Sequence, residues 1–193
     1  MQQQSESQSQ LTGNLLLLLA GLAALGSLAT NIILPAFPDM AGELGTSVKD
    51  LSATLASFFV AFAVGQLFVG PLSDRFGRKW LVMSGLTVFV AGSVLCALAG
   101  SLSQLIVGRI VQALGVCATS VLSRAIARDL FAGEALARAL SLIMVAMAAA
   151  PGFSPLLGGA LNTVLGWRST FGVVALLAVL LGMRYWSQLG ETH

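Results

Sequence analysis

What this sequence has least of is charge. Of its 193 residues, 9% are Asp, Glu, Lys or Arg and 56% are hydrophobic, whereas a soluble domain carries roughly 25% charged residues. The shortage is concentrated in long windows. Thr12–Pro38, Leu51–Ser73 and Ala139–Trp167 hold no charged residue, and between Trp80 and Ser123 the only one is Arg109. Each window reaches or exceeds the roughly 20 residues with which a helix crosses a bilayer. A soluble domain is thereby excluded, and an all-α integral membrane protein is expected. The only histidine is His193, which rules out a histidine-based metal site or catalytic dyad within one chain. Cys96 and Cys117 lie inside apolar runs without CxxC or Cys/His spacing, which makes them packing residues. Paired acids and activated nucleophiles are missing from the windows, so enzymatic activity is not expected. Nucleic acid is not an expected partner either. Met1–Gln10 contains no Lys or Arg, unlike the start of a secretory signal. Residues 1–12 are read as a disordered cytoplasmic tail.

Breaks in the apolar pattern give six spans, approximately 13–35, 51–71, 80–99, 103–123, 138–161 and 168–186. Pro35 and Pro38 end the first, because proline has no N–H for a helix bond. Gly100–Gln104 is so short a break that spans three and four must be antiparallel neighbours. Arg75, Arg78, Lys79, Arg124, Arg128, Arg138 and Arg184 fall on one side of the membrane, and Lys49 and Arg168 on the other. The positive-inside bias places the first set and both termini in the cytoplasm. Residues 187–193 read as the start of a central cytoplasmic loop or a truncated end. A shift of 89 residues lays Gly70-Pro-Leu72 over Gly159-Ala-Leu161 and Gly77-Arg-Lys79 over Gly166-Trp-Arg168. An offset of three spans reverses direction across the bilayer, so this is an inverted repeat of two three-helix units, a construction used by secondary transporters.

Gly70-Pro-Leu-Ser-Asp-Arg-Phe-Gly-Arg-Lys79 gathers a carboxylate, three cations and two glycines into what reads as one tight cytoplasmic turn. A merely topogenic loop accounts for the cations but not for Asp74 between the glycines. The stretch resembles the signature G-x-L-x-D-R-x-G-R-K of the major facilitator superfamily, matched at Gly70, Leu72, Asp74, Arg75, Gly77, Arg78 and Lys79. The resemblance implies a cytoplasmic gate that engages a second half of the transporter. Gly108-Arg-Ile-Val-Gln-Ala-Leu-Gly115 resembles the fourth-helix R-x-x-Q-x-x-G pattern of the drug/proton antiporter branch. Gly152-Phe-Ser-Pro-Leu-Leu-Gly-Gly159 resembles its fifth-helix motif, with Ser154 in place of the first glycine. Asn31–Asp39 and Arg124–Phe131 are similar to bicyclomycin-resistance-type exporters. The resemblance implies half of a twelve-helix fold, a bacterial inner-membrane location, amphipathic drug-like substrates and a proton gradient in place of any cofactor. A second six-helix half, as a self-dimer or separate chain, is then required for function. A non-transporting fragment or interaction partner, and an importer of a small polar solute, are the alternatives.

On the fourth span Arg109, Gln112, Thr119, Ser120 and Ser123 keep near one helical face. Two readings of Arg109 stay open: a side chain that snorkels to the outer headgroups, and a fixed charge in a watery cavity. Guanidinium holds its proton, so Arg109 would tune a neighbouring acid. No Asp or Glu lies within the spans. Asp39, just outside the first, is the nearest candidate carrier, although a helix cap is its simpler role. Asn31 is placed with Arg109, Gln112 and Asp39 in the cavity set. Pro151, Gly152, Pro155, Gly158 and Gly159 are expected to kink the fifth span and to admit a close neighbour. The resemblance adds that such a kink controls leakage and the direction of exchange.

Overall fold

A computed structural model describes the chain from Gln2 to Leu189, with side chains from Gly13 onward. Met1 and residues 190–193, with the end of the expected central loop, lie outside the described residues. The elements are α1 (Gln2–Asn31), a 3-10 turn (Leu34–Ala36), α2 (Phe37–Leu44), α3 (Val48–Phe76), α4 (Arg78–Ala97), α5 (Leu102–Leu130), α6 (Gly133–Leu165) and α7 (Arg168–Gln188). Six stretches are long and apolar enough to cross a membrane, the first uniting α1 from Gly13 with α2. All-helical architecture and six spans thus agree with the sequence.

The differences lie at the ends. The leader expected to be disordered continues α1 as backbone helix from Gln2. Its Gln and Glu residues are good helix formers, and neither Pro nor Gly interrupts them before Gly13. Pro35 and Pro38 do more than stop the first span. They stand in the first positions of the 3-10 turn and of α2, where a missing N–H costs nothing and the fixed φ suits a helix start. α3 and α5 start ahead of their apolar windows, at Val48 and Leu102, where Ser47 and Ser101 cap the first turns by accepting from the backbone N–H groups of Asp50 and Gln104. The Gly70–Lys79 segment is not a loop. Helix α3 runs through Pro71 to Phe76, Gly77 alone leaves the helical path, and α4 starts at Arg78. Likewise, α6 stays helical across Pro151 and Pro155.

The repeat shows in the packing. α1 packs on α6 as α5 packs on α3, while α4 and α7 pack on each other. Gly77 joins α3 to α4 at φ 82°, ψ 152°, and Gly166 joins α6 to α7 at φ 80°, ψ 163°. This region of backbone space is essentially open to glycine alone. Each joint is also tied by charge. Arg78 pairs with Asp129 at the end of α5, and Arg168 pairs with Glu43 at the end of α2. The same tie is therefore built at both ends of the bundle. α4 and α5 approach closely where glycines replace side chains. A Cβ at Gly92 would stand 2.4 Å from the Gln112 backbone nitrogen, and one at Gly115 would stand 2.3 Å from that of Phe89. This approach turns the polar face of α5 into the bundle.

Candidate functional site: a buried arginine at a broken helix

The fourth-span stripe is enclosed. Arg109, Gln112, Thr119, Ser120 and Ser123 are all buried, and Arg109 has 0% of its surface exposed. The side chain of Arg109 does not reach outward along α5. It crosses to α1, where Nη1 donates to the Ala29 carbonyl at 3.2 Å and to Gln112 Oε1 at 2.5 Å. Gln112 Nε2 passes the chain on to Ser93 Oγ of α4 at 2.9 Å, and that hydroxyl donates to the Phe89 carbonyl. The guanidinium lies 4.3 Å from the ring centroid of Phe58 on α3, within range of a cation–π attraction. One side chain thus touches α1, α3 and α5 and reaches α4 through an amide.

The Ala29 carbonyl is available because α1 breaks there. Its last backbone bond runs from the Ile32 N–H to the Leu28 carbonyl, and the next closes the 3-10 turn from Ala36 to Ile33. The end of a helix carries roughly half a negative charge on its free carbonyls. Arg109 therefore meets a negative pole made of backbone, with no carboxylate needed. Thr119 adds a second tie from α5 to α1, donating to the Leu22 carbonyl at 3.1 Å. Nε and Nη2 of Arg109 are buried without an acceptor among the described residues.

The remaining expected site residues separate into three places. Asn31 is half-buried and donates back to the Ser27 carbonyl at 2.7 Å, outside the Arg109 contacts. Asp39 is exposed in the first turn of α2, where Asn162 of α6 donates to it. Of the α6 cluster, Gly158 serves the break itself, since a Cβ there would come within 1.8 Å of the Ile32 carbonyl oxygen. Gly159 faces Pro35, whereas Pro151 and Gly152 are exposed, with open space around Gly152. In the signature segment, Gly70, Leu72, Asp74 and Arg75 are exposed and Arg78 and Lys79 half-buried. Asp74 forms no ion pair among the described residues; Arg75 lies over Phe76 and Lys79 over Trp186, at 5.3 and 4.3 Å.

Three contributors escaped sequence reasoning: Phe58, Ser93 and the opposite-face cluster of Glu43, Trp167 and Arg168. In that cluster Glu43 accepts from the Trp167 indole and from Arg168, which also donates to the Ala99 carbonyl at 3.0 Å. The 89-residue shift carried a signal for it, since Trp167 and Arg168 fall on Arg78 and Lys79.

Residues 19–189 match the family model described as Major Facilitator Superfamily. The chain is 36% identical over 178 residues to the chloramphenicol resistance protein of Pseudomonas aeruginosa, covering 92% of this chain and 42% of that one. It is 32% identical over 187 residues to the bicyclomycin resistance protein homolog of Haemophilus influenzae, covering 97% and 47%. The chain thus spans less than half the length of these relatives. In fold it is similar to the crystal structure of a D-xylose-proton symporter, with TM-score 0.78 at 21% identity, over 94% of this chain and 48% of that one.

Proposed function

Because the chain belongs to the major facilitator superfamily, we propose that it is the N-terminal half of a proton-coupled multidrug efflux antiporter working by alternating access. It is a membrane transporter by family, with relatives named for multidrug, chloramphenicol and bicyclomycin resistance. The observation that carries the finer reading is Arg109, a permanent cation fully buried at the break of α1. Intramembrane ionisable residues are rare and mark pathways for ions and substrates. Broken helices near the membrane midplane are where secondary transporters hold their coupling ions. In this reading Arg109 and Gln112 set the electrostatics of a proton path, and an acid of the second half carries the proton. The exposed side of α3 that carries Gly70 and Asp74, one turn apart, meets that half. The protein then sits in a bacterial cytoplasmic membrane with both termini inside, as the cation distribution favours.

The test is transport in proteoliposomes containing this chain, alone and together with the C-terminal half of a drug-exporting relative. A proton gradient is expected to drive counterflow of a cationic dye or chloramphenicol. Arg109→Ala should lower the gradient-driven rate at least about tenfold, equivalent to about 1.4 kcal/mol of barrier. A rate unchanged by Arg109→Ala removes the residue from the coupling path. Dye movement that ignores the proton gradient rejects antiport.

A further inference from the structure

Beside α7 lies a groove unrelated to the Arg109 chain. The cavity between α1 and α7 has a volume of about 500 Å³. Leu177, Leu180, Arg184 and Ser187 line it from α7 and Asn14 and Leu17 from α1. On α7 these four are spaced three, four and three apart, a single stripe down one helix face. The stripe is graded, with leucines at one end and polar groups at the other. From 177 to 187 it covers about 15 Å at 1.5 Å per residue, about half of a hydrocarbon core roughly 30 Å thick. Its length therefore matches one leaflet.

The polar end lies on the basic side of the bundle. Arg184 is exposed and pairs with no acid among the described residues. Asn14 is exposed as well, and the Ser187 hydroxyl donates to the Arg184 carbonyl at 3.0 Å, closing the rim. The same turn of α7 also carries an aromatic contact. Trp186 meets Trp80 edge-on at 5.8 Å, and Lys79 lies 4.3 Å over its ring, an arrangement suited to the headgroup level. The neighbouring groove between α4 and α7, about 490 Å³, is lined by Met83, Val90, Val179 and Trp186 among others, with no charged residue. Of these two grooves, the α1/α7 one joins a cation to an acyl-length wall.

We propose that the α1/α7 groove binds an anionic phospholipid, with its phosphate held by Arg184 and Asn14 and one acyl chain along Leu17, Leu177 and Leu180. Basic recesses between membrane helices recognise such headgroups. The test measures binding to the detergent-solubilised chain by native mass spectrometry, comparing phosphatidylglycerol with phosphatidylcholine of identical chains. Phosphatidylglycerol should bind about fivefold more tightly, the factor that one surface cation contributes towards an anionic lipid. Arg184→Gln should erase the preference, whereas Arg138→Gln, an exposed cation on α6, should keep it. Leu177→Trp should fill the groove and lower binding of both lipids, with helical content checked by circular dichroism. Equal binding of the two lipids, or a preference that survives Arg184→Gln, overturns the proposal. Displacement of lipid by glycerol phosphate alone overturns the acyl-chain part, and displacement by a cationic dye reassigns the groove to substrate.

Discussion

Taking a guanidinium out of water costs several kcal/mol unless its surroundings return charge and hydrogen bonds. Arg109 receives both from unusual sources: a helix end at Ala29, an amide at Gln112 and a ring at Phe58. The first is worth up to about 2 kcal/mol in a buried setting. Gln112 is the member whose loss should be felt most, because it accepts from the cation and donates to Ser93. Gln112→Leu leaves the buried charge with one acceptor, and a loss of roughly 2–3 kcal/mol is expected. Ser93→Ala removes a neutral partner and should cost about 1 kcal/mol. Unfolding of the purified variants in mixed micelles would measure both. The double variant Arg109→Met/Gln112→Leu should be destabilised less than the sum of the single changes, since contacting residues couple. Strict additivity would mean that the 2.5 Å contact contributes nothing. The sequence makes Arg109 visible as the lone charge between Trp80 and Ser123. Its partners are not visible there, because a backbone carbonyl has no letter and Phe58 resembles any other apolar residue until α3 is packed.

At the scale of elements, the bundle is joined by glycines in one conformation. Gly77 and Gly166 share φ near 80° and an extended ψ, a geometry that costs a side-chain-bearing residue about 1–3 kcal/mol. Gly166→Ala and Gly77→Ala are therefore expected to lower stability by about that amount in the same unfolding measurement. Gly172→Ala is the control. It lies inside α7 with open space where a Cβ would go, and alanine should stabilise it by up to about 1 kcal/mol. A neutral Gly166→Ala would show that the joint relaxes to ordinary helix geometry. These elements were legible to different degrees. The spans could be read because charge-free windows must be helices in hydrocarbon. The register of the repeat could be read because Gly77 and Gly166 have backbone duties that glycine alone fulfils. Element ends were obscured where caps and prolines act through geometry. Pro35 and Pro38 looked like stops and proved to be starts, and the Gly70–Lys79 segment looked like a loop although only Gly77 breaks the helix.

At the scale of the whole molecule, burial is uneven in a way that bears on assembly. The apolar windows of α1 and α5 are 67% buried, whereas those of α3 and α6 are 22% and 17% buried. Exposed apolar side chains on any span can rest against lipid, so exposure alone does not mark a protein contact. What distinguishes α3 and α6 is a glycine beside a proline on their open faces: Gly70 and Pro71 on one, Pro151 and Gly152 on the other, with open space around both glycines. Membrane helices associate closely where such small surfaces meet, since lipid gives them no hydrophobic drive. The face for a second half is therefore expected on α3 and α6, and the lipid-facing side on α4 and α7. Single cysteines provide the check, because Cys96 and Cys117 are buried and should stay silent to a membrane-confined oxidant. With a second copy co-expressed, or a relative's C-terminal half that carries its own single cysteine on the facing helix, Leu67→Cys and Leu156→Cys should form disulfide cross-links under the oxidant, and Leu176→Cys on α7 should not. Leu67, Leu156 and Leu176 are 74%, 77% and 59% exposed, so access alone would label all three. Cross-linking confined to position 176 would place the partner on the α4/α7 side and remove the structural basis for a gate at Asp74.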